Sequence, residues 1–228
     1  MKRSRVNQIM AEAEEFIAGF GFQLPPFAWW GVEDFRANLP AANRLIKARM
    51  GWDITDYGQG DFDRLGLFLF TLRNGELSDL QAGGGMAYAE KLLISRRDQI
   101  SPMHTHVIKA EDIINRGGAT MAIQLYGSDA QGNFCETAGG TVFCDGIPRA
   151  FAAGEVLRFA PGQSVTLRPG DWHAFWGEGG DVLIGEVSTV NDDYTDNIFR
   201  DPIGRFSEIE EDEAPRHLLV SDYEKFLS

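Results

Sequence analysis

The sequence predicts a mainly β protein, a barrel or sandwich of short strands preceded by α-helices. Three observations predict it. Apolar residues recur at helical spacing only before Gly51. From about Leu65 onward the chain is a series of short apolar or alternating runs. Turn signals separate those runs at the cadence expected of a barrel or sandwich.

The elements follow in order. Over 4–20, Val6, Ile9, Met10, Ala13, Phe16 and Ile17 fall three and four apart, which gives a helix with one apolar face; Gly19 and Gly21 help end it. Residues 24–27, with Pro25-Pro26, read as extended. One or two further helices are expected over 32–50, closed by Gly51. Strands are expected over 66–72, 88–95, 99–106, 111–115, 121–126, 141–144, 156–159, 164–167 and 182–190. Among the turns between them are Asn74-Gly75, Gly117-Gly118, Asp145-Gly146, Pro161-Gly162 and Pro169-Gly170. Residues 192–214 are polar and acidic, and the run 208–213 reads as a solvated face. His217-Leu218-Leu219-Val220 reads as a last strand. The organisation expected is a helical extension over 1–64 and a barrel over 65–228, forming a single structural unit.

A chain of 228 residues that is 43% hydrophobic can bury one large core. The formal net charge of −13 repels phosphate backbones, so nucleic acid is not an expected partner. No apolar run reaches membrane-spanning length, and Met1-Lys2-Arg3-Ser4 leads into an amphipathic stretch, so the expectation is a cytoplasmic protein without a membrane partner. Cys135 and Cys144 lack a metal-binding spacing and are expected as free thiols.

Three of the four histidines fall in two short segments. His104 and His106 are two apart and so share one face of a strand. Glu111, five residues on, can return on the next strand, and His173 follows the Pro169-Gly170 turn. Three nitrogens and one oxygen suit a divalent transition metal such as Mn, Fe, Co, Ni or Zn.

His104-x-His106-x4-Glu111-x6-Gly118 resembles the first motif of the cupin superfamily, and Pro169-Gly170-x2-His173 resembles its second. Asp98 stands where the first motif usually opens with glycine, and Gly177 where the second often closes with asparagine. A closer resemblance is to the D-lyxose isomerase family, carried by the phrases at 24–28, 72–75, 88–91, 111–118 and 185–197. It implies a jelly-roll-like cupin β-barrel with helices packed against it. It also implies a manganese-dependent aldose–ketose isomerase acting on D-lyxose and D-xylulose, with D-mannose and D-fructose as slower partners, and a homodimer. The same four ligands serve other cupin enzymes such as oxygenases, and a sugar-binding protein without turnover is the third reading.

An isomerase needs a base for a carbon-bound proton and polar groups for hydroxyls. Glu186 interrupts the apolar run 182–187, where a lone carboxylate is costly, and is the candidate base; an ion pair with a lysine or arginine is the competing role. Lys109, two residues before Glu111, is the candidate for stabilising the enediolate. Lys91, Asp192, Asp193, Asp196, Arg205 and Trp176 are the candidate substrate contacts. Trp172 and Trp176 flank His173, which places at least one of them at the cavity. His217 reads as a packed or surface residue instead of a ligand.

Overall fold

The structure, a computed structural model, describes residues 1–190 and 192–227. Asn191, part of the 185–197 phrase, lies outside the described residues. The N-terminal part forms α1 (Arg3–Gly19), α2 (Val32–Ala37) and α3 (Leu39–Lys47). The strands are β1 (Gly51–Thr55), β2 (Leu67–Asn74), β3 (Tyr88–Ser95), β4 (Ser101–His106), β5 (Glu111–Tyr126), β6 (Gly140–Cys144), β7 (Ile147–Phe151), β8 (Glu155–Phe159), β9 (Ser164–Leu167), β10 (Trp172–Thr189) and β11 (Asn197–Phe199). A short α4 (Leu77–Ala82) joins β2 to β3, and α5 (Tyr223–Leu227) ends the described chain. The mainly β class and the cupin-like barrel with N-terminal helices stand as expected.

Neighbouring strands run in the order β1-β2-β3-β10-β5-β9-β6-β7, with β4 attached at β10, β11 at β4 and β8 at β5. The long β10 organises the barrel. Its first half pairs β4, its second half pairs β3, and both halves pair β5. The register shifts between Glu178 and Val182. That bulge changes which side chains face inward. His173, against Glu111, and Phe175 point in before it, and Ile184 and Glu186 point in after it. Opposite the bulge, Gly118 sits at φ +94°, and a Cβ there would lie 2.3 Å from the carbonyl oxygen of Asp181. Only glycine fits so close a crossing.

Two cores result from strand alternation. Leu67, Leu69, Leu93, Ile113, Ile123 and Ile184 fill the barrel interior. Trp52, Phe68, Phe70, Leu92 and Leu183 face the other way and pack on Val6, Ile9, Met10, Ala13 and Ile17 of α1. The helix predicted from periodicity thus covers the outer face of β1, β2, β3 and β10.

Several expectations are corrected. Gly51 does not close a helix; it opens β1, which pairs antiparallel with β2. The sheet therefore starts before residue 64. Residues 217–220 do not form a strand. Leu219 makes an isolated bridge to Trp52, and a 3-10 turn over 220–222 leads into α5. The acidic run over 208–213 is not simply solvated. Glu211 pairs with Arg3, and Asp212 accepts hydrogen bonds from the Ser4 backbone N–H and hydroxyl, 2.9 and 2.7 Å. Lys2, at the start of α1, offers no side-chain cap, so the tail supplies acceptors where the helix N-terminus favours negative charge. Among the described residues no helix is long and apolar enough to cross a membrane.

Arg3 is fully buried and makes paired hydrogen bonds to Glu211 and to Asp222, all at 2.8–2.9 Å. Arg3→Met would leave the buried Asp222 carboxylate without that cation. Breaking a buried pair in this way is expected to cost about 3–5 kcal/mol of stability. Chemical denaturation of the variant checks it, and a loss under about 1 kcal/mol, the range of an exposed pair, contradicts it.

Candidate active site and metal centre

The interior alternation gathers the functional side chains at one end of the barrel. His104 and His106 come from β4, Glu111 from the start of β5, and His173 from β10, where it is the direct register partner of His104. The Pro169-Gly170 turn before His173 is pinned from both sides. The Gly170 N–H donates to Thr105 Oγ1 at 3.0 Å, and the Ser128 hydroxyl donates to the Gly170 carbonyl at 2.8 Å. The His104 and His173 rings have centroids 4.1 Å apart. Candidate ligand atoms of the three histidines lie within 4.8 Å of one another.

The protonation pattern fits a metal. Nδ1 of His104 faces the Pro102 carbonyl at 2.7 Å, and Nδ1 of His173 faces the Asp171 carbonyl at 3.0 Å. A carbonyl only accepts, so both Nδ1 atoms donate, and in a neutral ring Nε2 keeps its lone pair. Among the described residues, the buried His173 Nε2 has no hydrogen-bond partner. Burial, reinforced by the other two histidines, pushes the His104 pKa well below the ordinary histidine value. Burial and the Lys109 ammonium lower that of His106. Neutral imidazoles are the form that ligates. Glu111 Oε1 lies 3.1 Å from His106 Nε2 and 3.3 Å from His173 Nε2. Burial works against its charge, but Lys109 and His106 outweigh it and hold the carboxyl well below its usual range. The three histidines can therefore hold a metal ion, with an anionic oxygen beside them.

A row of alternating charges leads away from this cluster. Lys109 Nζ lies 2.6 Å from Glu111 Oε2 and donates to Glu186 Oε1 at 3.0 Å. Lys91, the register partner of Glu186 on β3, approaches the same oxygen at 3.5 Å. Lys91 also lies 3.8 Å from Asp193 Oδ1; Asp193 Oδ2 is 3.4 Å from Arg205, and Arg205 donates to Asp53 at 2.6 Å. Burial opposes the charge on Lys109, yet Glu111, Glu186 and Asp193 raise its pKa above the ordinary lysine value. Tyr57, Ser101, Asn197 and Phe199 complete the wall of the same cavity as His104, His106, Lys91, Lys109, Glu111, Glu186, Asp193 and Arg205.

The structure brings together most of the residues singled out from sequence. Lys109 lies in the turn between β4 and β5, outside both strands, and still reaches Glu111 and Glu186. Three placements correct the expectation. Trp176 lines a separate depression with Ile100, Gln124 and Ala174. Since His173 points inward, Trp172, Ala174 and Trp176 point outward by alternation, and Phe175 is the aromatic that β10 brings to the cavity. Asp192 lies outside this cavity, and its carboxylate accepts from the Tyr194 N–H and the Thr195 hydroxyl. Asp196 accepts from the backbone N–H groups of Ile108 and Lys109 at 2.7 and 3.0 Å, so it holds the turn that carries Lys109. His217 packs flat on Trp52 and contacts Glu14, away from the other three histidines. Asp53 and the hydrogen-bonded Tyr57–Ser101 pair were missed from sequence. Asp53 carries the signal that marked Glu186, an acid between apolar neighbours, in the run Trp52-Asp53-Ile54.

Comparison with known proteins agrees with this geometry. A family model described as D-lyxose isomerase matches residues 1–223. The chain is 46% identical to a D-lyxose/D-mannose isomerase of Serratia proteamaculans, over the whole of both chains. It is 40% identical to a D-lyxose/D-mannose isomerase of Escherichia coli O157:H7, over 99% of this chain and 100% of that one. In fold it is similar to the L-ribose isomerase of Acinetobacter sp. DL28 solved with L-ribose, with a TM-score of 0.60 at 15% identity, covering 92% of this chain and 98% of that one. Match along the full length, with the histidine cluster and the row of charges in one cavity, leads to one conclusion: the chain belongs to the D-lyxose isomerase family and is a sugar isomerase.

Proposed function

We propose that the chain interconverts D-lyxose and D-xylulose, and more slowly D-mannose and D-fructose, by proton transfer between C1 and C2. The observation that carries this reading is Glu186, held by two lysines beside the histidine cluster. The names of the relatives at 40–46% identity supply the sugars. D-Mannose matches D-lyxose from C2 to C4, so a pocket that reads those hydroxyls accepts both. Manganese as the metal, a homodimer and a cytoplasmic location belong to the same reading.

His104, His106, Glu111 and His173 would hold the metal. Bound there, it supplies a Lewis acid for the substrate oxygens at C1 and C2. Glu186 takes the proton from C2 of the aldose and returns it to C1 of the ketose, while the hydroxyl proton passes from O2 to O1. Both lysines engage Glu186 Oε1, which leaves Oε2 to carry the proton. Lys109, kept as an ammonium, steadies the negative charge of the enediolate and ties the base to Glu111. Lys91, Asp193 and Arg205 bind the remaining hydroxyls.

Metal-loaded protein incubated with D-lyxose is expected to form D-xylulose, to lose activity with a chelator and to regain it with Mn²⁺. No turnover on any pentose or hexose, with metal shown to be bound, would instead favour a sugar-binding protein.

A further inference from the structure

We propose that Asp53 is a positioning residue for substrate recognition. It fixes the Arg205 guanidinium so that Nη1 donates to a sugar hydroxyl remote from the reacting carbons. The inference rests on the sugar isomerisation proposed above and names which end of the sugar is read, and by what.

The row of charges gives the direction. From the histidines it runs through Glu111, Lys109, Glu186, Lys91 and Asp193 before it reaches Arg205. Arg205 is therefore the cation farthest along the row from the reaction centre. It lines the cavity, yet its Nη1 is buried without a hydrogen-bond partner among the described residues. A buried guanidinium nitrogen without an acceptor is costly, and a substrate hydroxyl would supply the acceptor. Nη2 faces Asp53 Oδ2 at 2.6 Å and Asp193 Oδ2 at 3.4 Å. The guanidinium is planar, so fixing Nη2 fixes where Nη1 points.

Asp53 is built for that task. It lies on β1 between Trp52 and Ile54, which pack outward under α1, so alternation turns Asp53 toward the tail that carries Arg205. It is 2% exposed, so the pair is shielded from water. The backbone around Arg205 is tied to the same strand, with the Thr55 hydroxyl donating to the Arg205 carbonyl at 2.8 Å and the Asp56 N–H to Ser207 Oγ at 2.8 Å. The strand thus holds both the main chain and the head group of Arg205.

Steady-state kinetics on D-lyxose test the inference, with metal content measured alongside. Asp53→Asn keeps the shape and weakens the hold on Nη2. It is expected to raise KM about tenfold or more while kcat stays within a few-fold and metal content is unchanged. Arg205→Met should raise KM at least as much. The double variant should be no worse than Arg205→Met alone, because Asp53 acts through Arg205. A merely structural Asp53 would lower stability, leave KM near wild type in the folded fraction, and add to Arg205→Met. Arg205→Lys covers the case in which Asp53→Asn does not fold. It keeps the charge between Asp53 and Asp193 and removes the fork, so KM should rise. An unchanged KM in Arg205→Lys, or additive effects in the double variant, overturns the inference while wild-type turnover upholds the isomerase reading. A wild type that fails on every sugar overturns both.

Discussion

Alanine in place of His106 or His173 is expected to strip the metal from a chain that still folds. The expectation follows from the tautomers. His173 donates Nδ1–H to a main-chain carbonyl and presents a buried Nε2 with no hydrogen-bond partner among the described residues, an arrangement without benefit unless a cation accepts the lone pair. His106 brings its Nε2 to 3.1 Å from Glu111 Oε1. Loss of an outer partner of a ligand typically weakens metal binding about 10–100-fold, and loss of a ligand should exceed that. Metal analysis after gel filtration checks it; stoichiometric metal in both variants would overturn the ligand assignment. Glu111→Gln refines it. Lys109 already occupies Oε2, so Oε1 is the oxygen available to a metal. If Glu111 ligates, the amide should lower occupancy with the fold intact. If it only balances charge, occupancy should hold.

The parts of this fold that were legible in the sequence are those where one periodicity decides the outcome. Helix α1 has one apolar face and needs no other information. The histidine cluster was legible because two imidazoles two residues apart on a strand must point the same way. What escaped detection depends on contacts distant in sequence. Gly51 follows a helical stretch and reads as its stop; only pairing with β2 shows that it begins a strand. Gly117-Gly118 reads as a turn that divides two shorter strands, yet β5 runs through it, paired with the bulged β10. Strand β7 has four exposed residues and so lacks the buried alternation that marks a strand. Trp176 was misplaced because nearness to His173 in sequence was weighed above the alternation that sends it to the opposite face. Asp196 was read as a substrate group because its partners, two backbone N–H groups in the turn 107–109, are invisible without the fold.

Glu186→Gln is expected to abolish most turnover while the metal and the fold remain. The amide keeps the shape of the side chain and can still accept from Lys109, but it cannot take a proton from carbon. Loss of a general base typically costs about 100- to 10,000-fold in rate. The surroundings are suited to tolerate the change. Lys109 keeps Glu111 at 2.6 Å, and Lys91 keeps Asp193 at 3.8 Å, so neither buried ammonium is left without an anion. Stability should therefore change far less than the rate. Lys109→Met separates the two halves of the mechanism. It removes the ammonium that links Glu111 to Glu186, so turnover should slow even though the base is intact. Single-turnover kinetics on metal-loaded protein, with occupancy measured on the same sample, distinguish these outcomes from a loss of binding. A Glu186→Gln enzyme within a few-fold of wild type would move the base to Asp193. Of the acids in the 192–196 segment, Asp192 lines a different cavity and Asp196 is engaged by the turn, whereas Asp193 stands next in the row, beside the same Lys91.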